Sequence, residues 1–453
     1  MPLRSKAAVL FLVTLMFSTW HLDQGQNANT VSRAASVAAL VEQGTWSIDA
    51  FADLTNDRAR VNGRYYSEKA PLPALCVVPF HWVLRQAELI GVSEGDHINV
   101  DLLRLGGALC GSLPFAVIVV LCWLNLQRRT PERSGVPLVW AMFFGSFLFI
   151  YSGTFFGHLM GAAFALGALH VLERGRHGLA GALTGCAVLS DYPLLLFAGC
   201  WTLHLAITSY RSAGSPRALL RFVGGALPFA AALVLYNSVV FGAPFSVGYD
   251  HLDAYASENG IMIEGLRPEA LFGLTLSPYR GLIPHMPVLA LGLVAWALAA
   301  RKEKHTVGLL VSIPAVLTLL FASSVGMWWG GWAFGPRHLT TVAALLAYRT
   351  LPRIAALPWS RVPLILLGFI GLAYAFMAKS TVWYSLPTGI LRPFSSIILP
   401  KLEGGVFTTS QWPVVLGASP LLGTVLFLLS FGAALVLLHR LFKPSDHAPL
   451  PLP

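Results

Sequence analysis

Long stretches without a single charge recur along this chain, and they decide its solvent. Leu105 to Leu126, Phe222 to Phe241 and Leu416 to Leu438 contain no Asp, Glu, Lys or Arg. Each has the roughly 20 residues that carry a helix across about 30 Å of hydrocarbon. The chain is 55% hydrophobic and 11% charged, against roughly 25% charged in soluble domains, and a water-soluble fold cannot hide that much apolar surface. The expectation is an all-α polytopic integral membrane protein. The formal charge of +10 does not point to nucleic acid, because the basic residues come in short clusters between apolar runs, as they do in cytoplasmic loops.

Apolar runs predict about twelve transmembrane helices, near 5–22, 102–126, 136–152, 155–172, 178–190, 193–209, 222–241, 281–300, 306–325, 336–351, 361–379 and 416–439. Arg4 and Lys6 precede the first, and Ser18-Thr19-Trp20-His21 is a poor small-residue cleavage site, so it reads as an uncleaved helix. With the N-terminus cytoplasmic, alternate connections all carry positive clusters, from Arg128, Arg129 and Arg133 through Arg301, Lys302 and Lys304 to Arg440 and Lys443. Of 21 acidic residues, Glu132, Glu173, Glu303 and Asp446 fall on that side and the other seventeen lie outside or at the outer face. Carboxylates do not set topology, so function is the natural cause of this asymmetry.

A single transmembrane domain over 1–443 is expected, with outer loops at 23–101, 242–280 and 380–415 and a Pro-rich disordered tail at 444–453. In the long first loop, Val31, Ala34, Ala38 and Val41 recur at helical spacing opposite Ser32, Arg33, Ser36 and Glu42. Leu75 to Ile90 is apolar but too short and punctuated to span. Two interfacial helices bracketing a turn-rich hinge follow. Phosphate-loop, dinucleotide-binding, HExxH and Asp-x-Asp signatures are missing, which argues against cytosolic nucleotide chemistry. The five cysteines show no metal spacing and read as small buried hydrophobes.

The polar residues gather in a few outer segments. The first loop holds Asn27-Ala28-Asn29, Gly44-Thr45-Trp46-Ser47-Ile48-Asp49, Asn56-Asp57 and Gly63-Arg64-Tyr65-Tyr66-Ser67-Glu68-Lys69-Ala70-Pro71; beyond it lie Asp191-Tyr192-Pro193, Ser277-Pro278-Tyr279-Arg280-Gly281-Leu282 and Gly330-Gly331-Trp332-Ala333-Phe334-Gly335-Pro336-Arg337. Together these segments resemble membrane glycosyltransferases of the GT-C class, such as protein O-mannosyltransferases and the lipid A aminoarabinose transferase. The resemblance implies transfer of a hexosyl or pentosyl group from a polyprenyl-phosphate carrier to a lipid, glycan or protein acceptor on the outer face. It places the enzyme in a bacterial cytoplasmic membrane with its site facing the periplasm, and it leaves open a divalent metal such as Mg or Mn, for which no ligand cluster stands here. Such a reaction needs a carboxylate to take the acceptor's proton and cations to hold the leaving phosphate. Asp57 and Asp49 are the candidate bases. Lys69, Glu68, Arg64, Tyr65, Asn29, Asp191, Tyr192, Arg280 and Arg337 are the candidate binding residues, with Lys69 in a segment that resembles the family's Glu-Lys-Pro element. The family's acidic pair near the start of the loop has no counterpart, since counting back from Gly44 lands on Asn29-Thr30. An amide is not a base, so Asp49 or Asp57 takes the role or the loop only binds.

Structural readings stand beside these. Asp49 suits the N-cap of a helix from Ala50, Asp57 the close of a turn, and Glu68-Lys69 an exposed pair worth a few tenths of a kcal/mol. Trp328, Trp329 and Trp332 suit an interfacial belt, Arg337 suits pairing with Asp191, and His158 and His285 suit interfacial or satisfied core positions. The Gly107/Gly111 and Gly157/Gly161 spacings suit close helix packing. The rival function is a transporter or flippase of lipid-linked sugars or other anions, which would carry ionisable groups within its spans; the long spans here are almost free of them.

Overall fold

The computed structural model describes all residues except 26, 132, 212–214, 254–262, 301–305 and 444–453. The expected tail and the charges Glu132, Arg301, Lys302, Glu303, Lys304 and Asp446 lie outside the described residues. Helix occupies each of the expected apolar runs. Among the described residues, five helices are long and apolar enough to cross a membrane: Val100–Arg129, Tyr192–Arg211, Arg217–Phe241, Arg361–Thr381 and Pro420–Phe442. Many of their large side chains face outward, such as Leu195, Leu227, Ile365 and Leu429. In water that surface would be prohibitive; in lipid it is the ordinary exterior. The chain is an integral membrane protein.

Glycines set how closely these helices pack. A Cβ on Gly181 would lie 1.8 Å from the Phe222 carbonyl oxygen and one on Gly225 2.0 Å from that of Gly178, so His177–Ser190 and Arg217–Phe241 touch backbone to backbone. Where hydrophobic burial gives no driving force between helices, such contact supplies the dispersion and dipole attraction that holds them.

The expected helix 136–152 is two helices, Val136–Phe144 and Phe147–Tyr151. The first stops at Gly145, where the backbone of Gly371 from Arg361–Thr381 comes too close for a side chain. Ser146 Oγ accepts from the Leu148 amide to restart the helix. The buried Lys379 Nζ closes its far end, donating to the carbonyls of Phe149 at 2.5 Å and Ser152 at 2.7 Å. A lysine at a helix C-terminus meets carbonyls that have no partner within the helix.

The first outer loop is more ordered than a hinge. Ala28–Ala38 forms the first helix expected there, and its polar face turns inward rather than to water. Ser32 Oγ meets Ser67 Oγ at 2.7 Å, and Arg33 donates to the Ala70 carbonyl at 3.0 Å. The second, Leu72–Gln86, does expose Leu75, Phe80, Trp82 and Val83, as an interfacial helix should. Between them stand a short helix, Asp49–Leu54, and an antiparallel hairpin, β1 (Arg58–Val61) and β2 (Arg64–Ser67). Its turn is Asn62-Gly63, both at positive φ (50° and 81°), the residue pair a tight hairpin of this twist requires. The expected turn-rich hinge is thus a short helix and a paired hairpin, and the Asn62-Gly63 signal for that hairpin stands in the sequence.

Candidate active site

The hairpin delivers the site. Its second strand is pinned to helix Ala28–Ala38 through Ser67, so the next two residues, Glu68 and Lys69, enter the protein instead of solvent. Their side chains are 4% and 6% exposed, which overturns the reading of an exposed surface pair. Lys69 Nζ lies 2.7 Å from Asp57 Oδ2 and also donates to Glu68 Oε1. Burial and the Asp57 charge push the Glu68 carboxyl up to about 7, against the pull of Lys69. Lys69 is held above its ordinary range because Asp57 and Glu68 outweigh the burial that would lower it. Gly248 allows one further approach: a Cβ there would lie 2.3 Å from Glu68 Cα. The neighbouring Tyr249 ring thereby comes 5.7 Å from Lys69 Nζ.

A second polar group arrives from the membrane helices. His158 opens helix His158–Leu172, and Asp191 follows the last residue of His177–Ser190. Gly157 and Gly161 let these ends meet, since a Cβ on Gly157 would stand 2.4 Å from the Ser190 carbonyl oxygen and one on Gly161 3.3 Å from Asp191 Cβ. His158 Nδ1 and Asp191 Oδ2 are 2.7 Å apart. Burial alone would raise the Asp191 carboxyl, but His158, His338 and Arg33 hold it below its ordinary value.

Both groups border one cavity of about 950 Å³. Arg33, Lys69 and Arg337 line it, as do Asp57, Glu68, Asp191, His158 and His338. Its apolar wall includes Leu195 and Phe321, which are 65% and 36% exposed on helices with lipid-facing sides. The cavity therefore opens onto the apolar surface of the protein. Arg337 makes no ion pair among the described residues; its guanidinium lies over the Phe156 ring at 5.4 Å, and the alternative of a pairing with Asp191 is not realised. Its Nε and Trp329 Nε1 are buried without a hydrogen-bond partner among the described residues.

Of the residues singled out from the sequence, Asn29, Asp57, Glu68, Lys69, Asp191, Tyr192 and Arg337 line this cavity. Asp49, Arg64, Tyr65 and Arg280 do not. Asp49 is exposed and accepts from the Tyr65 amide at 2.6 Å, fastening the hairpin to the short helix. Arg64 is exposed beside the hairpin turn, and the Tyr65 ring lies 4.5 Å under the Arg58 guanidinium. Arg280 is fully buried and spends its fork on main-chain carbonyls, reaching Trp329 at 3.1 Å, Gly331 at 3.3 Å and Leu386 at 3.5 Å. It thus shapes the wall 329–331 without entering the cavity. Trp329 and Trp332 also line the wall, while Trp328 packs against Tyr279.

Arg33, His158 and His338 were missed as site residues. Arg33 had a signal, being the lone cation on a helix of Ala, Val and Ser; the histidines had none, because only packing brings them to Asp191. Asp23 was missed as well. It is fully buried, accepts from the amides of Gly25 and Phe155 and from Tyr384 Oη at 2.9 Å, and lies outside the cavity lining. Among the described residues, the group with metal-ligand proximity is Glu94, Asp96 and His97, which is exposed and away from the cavity.

No family model and no curated protein matches the sequence. Among solved structures, ArnT from Cupriavidus metallidurans bound to undecaprenyl phosphate superposes with a TM-score of 0.52 over 98% of this chain and 72% of that one, at 15% identity. The same protein in its apo state gives a TM-score of 0.50 over 97% and 76%, also at 15% identity. The chain thus shares its fold with ArnT. The archaeal oligosaccharyltransferase AglB from Archaeoglobus fulgidus, in complex with an inhibitory peptide and a dolichol-phosphate, is more distant at a TM-score of 0.45, 13% identity, and coverage of 84% and 56%. In this chain the shared fold places the polar cavity between the segment 27–70 and the apolar helices.

Proposed function

We propose that this protein is a glycosyltransferase that moves a hexosyl or pentosyl group from a polyprenyl-phosphate carrier to a lipid, glycan or protein acceptor. The reading places it in a bacterial cytoplasmic membrane, its residues 1–443 forming one domain with about twelve crossings and the cavity facing the periplasm. One observation carries it: Arg33, Lys69 and Arg337 converge on a cavity whose wall continues into lipid-facing helices through Leu195 and Phe321. A lipid phosphate has that shape, with an anionic head for the cations and a tail for the apolar opening. As the sugar leaves, negative charge grows on the phosphate, and fixed cations in a partly dry site stabilise it without reorganising. The ArnT structure that shares the fold holds undecaprenyl phosphate, which supports a donor of this class.

The test uses the purified protein in nanodiscs. Undecaprenyl phosphate should bind, and Lys69→Ala and Arg337→Ala should each weaken binding at least tenfold. Unchanged binding in both variants would sink the proposal.

A further inference from the structure

Sugar transfer from a lipid phosphate requires a group that takes the acceptor's proton, and the cavity offers few. The amides of Asn27, Asn29 and Asn56 border it but cannot accept a proton at neutral pH. Asp57 is bound to Lys69 at 2.7 Å, and protonating it would leave a buried ammonium with less compensation just when Lys69 is needed for the phosphate. Glu68 spends Oε1 on Lys69, and its Oε2 is buried without any partner, out of a substrate's reach.

His158 differs on each count. It borders the cavity with a side chain 14% exposed, and its Nδ1 is fixed on Asp191 at 2.7 Å. The ring makes no other hydrogen bond among the described residues, so Nε2 is the nitrogen left for a ligand. An imidazole held this way by a carboxylate has one orientation and one tautomer, with Nδ1–H donating to Asp191 and the Nε2 lone pair directed away. Stacking of its ring on Phe156 at 5.8 Å adds to that restraint.

We propose, on the reading of the protein as a lipid-phosphate-dependent glycosyltransferase, that His158 is the general base and Asp191 the residue that positions it. The acceptor hydroxyl gives its proton to His158 Nε2 while its oxygen forms a bond to the anomeric carbon. The bond from that carbon to the phosphate oxygen breaks, its electron pair stays on the oxygen, and polyprenyl phosphate departs toward Lys69, Arg33 and Arg337. Asp191 keeps its proton-free charge and stabilises the imidazolium. The dyad thus does the proton work, and the Lys69 cluster binds the phosphate.

The experiment measures release of undecaprenyl phosphate from undecaprenyl-phosphate-linked glucose, mannose and aminoarabinose, beside binding of undecaprenyl phosphate itself. His158→Ala and His158→Gln should lower kcat by ~10²-fold or more with the donor KM and undecaprenyl phosphate affinity within threefold, and added imidazole should restore part of the His158→Ala rate. Asp191→Asn should lower kcat comparably. If both His158 variants keep kcat within threefold, or lose undecaprenyl phosphate binding along with it, the assignment is overturned. An Asp57→Asn or Glu68→Gln variant that alone loses kcat would move the base to the first loop. A wild-type protein that releases undecaprenyl phosphate from none of the three donors would instead overturn the transferase reading itself.

Discussion

Replacing Lys69 by Met keeps most of the side-chain volume and removes only the cation between Asp57 and Glu68. All three side chains are less than a fifth exposed, so the loss is not screened away as at a surface. Breaking a buried pair by deleting one partner costs ~3–5 kcal/mol, and the low end is expected here because Glu68 has an escape: its carboxyl already stands at about 7 and takes up a proton once Lys69 is gone. The sign follows from linkage. An acid whose folded value is raised binds more protons folded than unfolded, so its stability contribution is present at low pH and is lost as pH rises toward the folded value. In the wild type that loss is mostly complete at pH 7; without Lys69 the folded value moves higher and the loss continues. The stability gap between variant and wild type should therefore widen by about 1 kcal/mol between pH 7 and pH 8.

Guanidinium unfolding in detergent, followed by tryptophan fluorescence at pH 6, 7 and 8, measures this gap. Adding Glu68→Gln to the variant should abolish its pH dependence, because the titrating group is gone. A gap of the same size at all three pH values, or a variant as stable as the wild type, would refute the picture of a buried charge cluster.

Two further outcomes follow from the geometry. Arg280→Lys replaces a planar fork by a point charge that cannot reach the carbonyls of Trp329, Gly331 and Leu386 together; it should cost about 2 kcal/mol and weaken undecaprenyl phosphate binding by loosening the cavity wall, whereas unchanged binding would show the wall holds without it. Gly157→Ala puts a methyl 2.4 Å from a main-chain oxygen and 3.1 Å from the Arg33 guanidinium, disturbing the contact of His158 with Asp191 and a phosphate-binding cation together, so donor turnover should fall at least tenfold; unchanged turnover would refute the close fit.

The residues alone were enough for the apolar helices and for the long polar segment that follows the first of them, because uncharged runs of this length have one stable environment and that preference acts locally. The Gly157/Gly161 and Gly107/Gly111 spacings were equally readable as packing devices: Gly107, Gly111 and Gly157 lie where another backbone leaves no room for a Cβ, and Gly161 lies against the Leu194 side chain. Arg280 shows where such reading stops: its position among loop residues suits a phosphate ligand, yet carbonyls from two other segments claim the whole side chain. Asp49 and Asp57 were alike on paper; a hairpin register sends one to a Tyr65 amide and the other to Lys69. His158 and Asp191, 33 residues apart in the chain, meet only because two helix ends press together. Sequence says which groups exist and which runs of the chain belong in lipid. Which of them share a cavity depends on contacts between distant segments, and those are settled only when the helices pack.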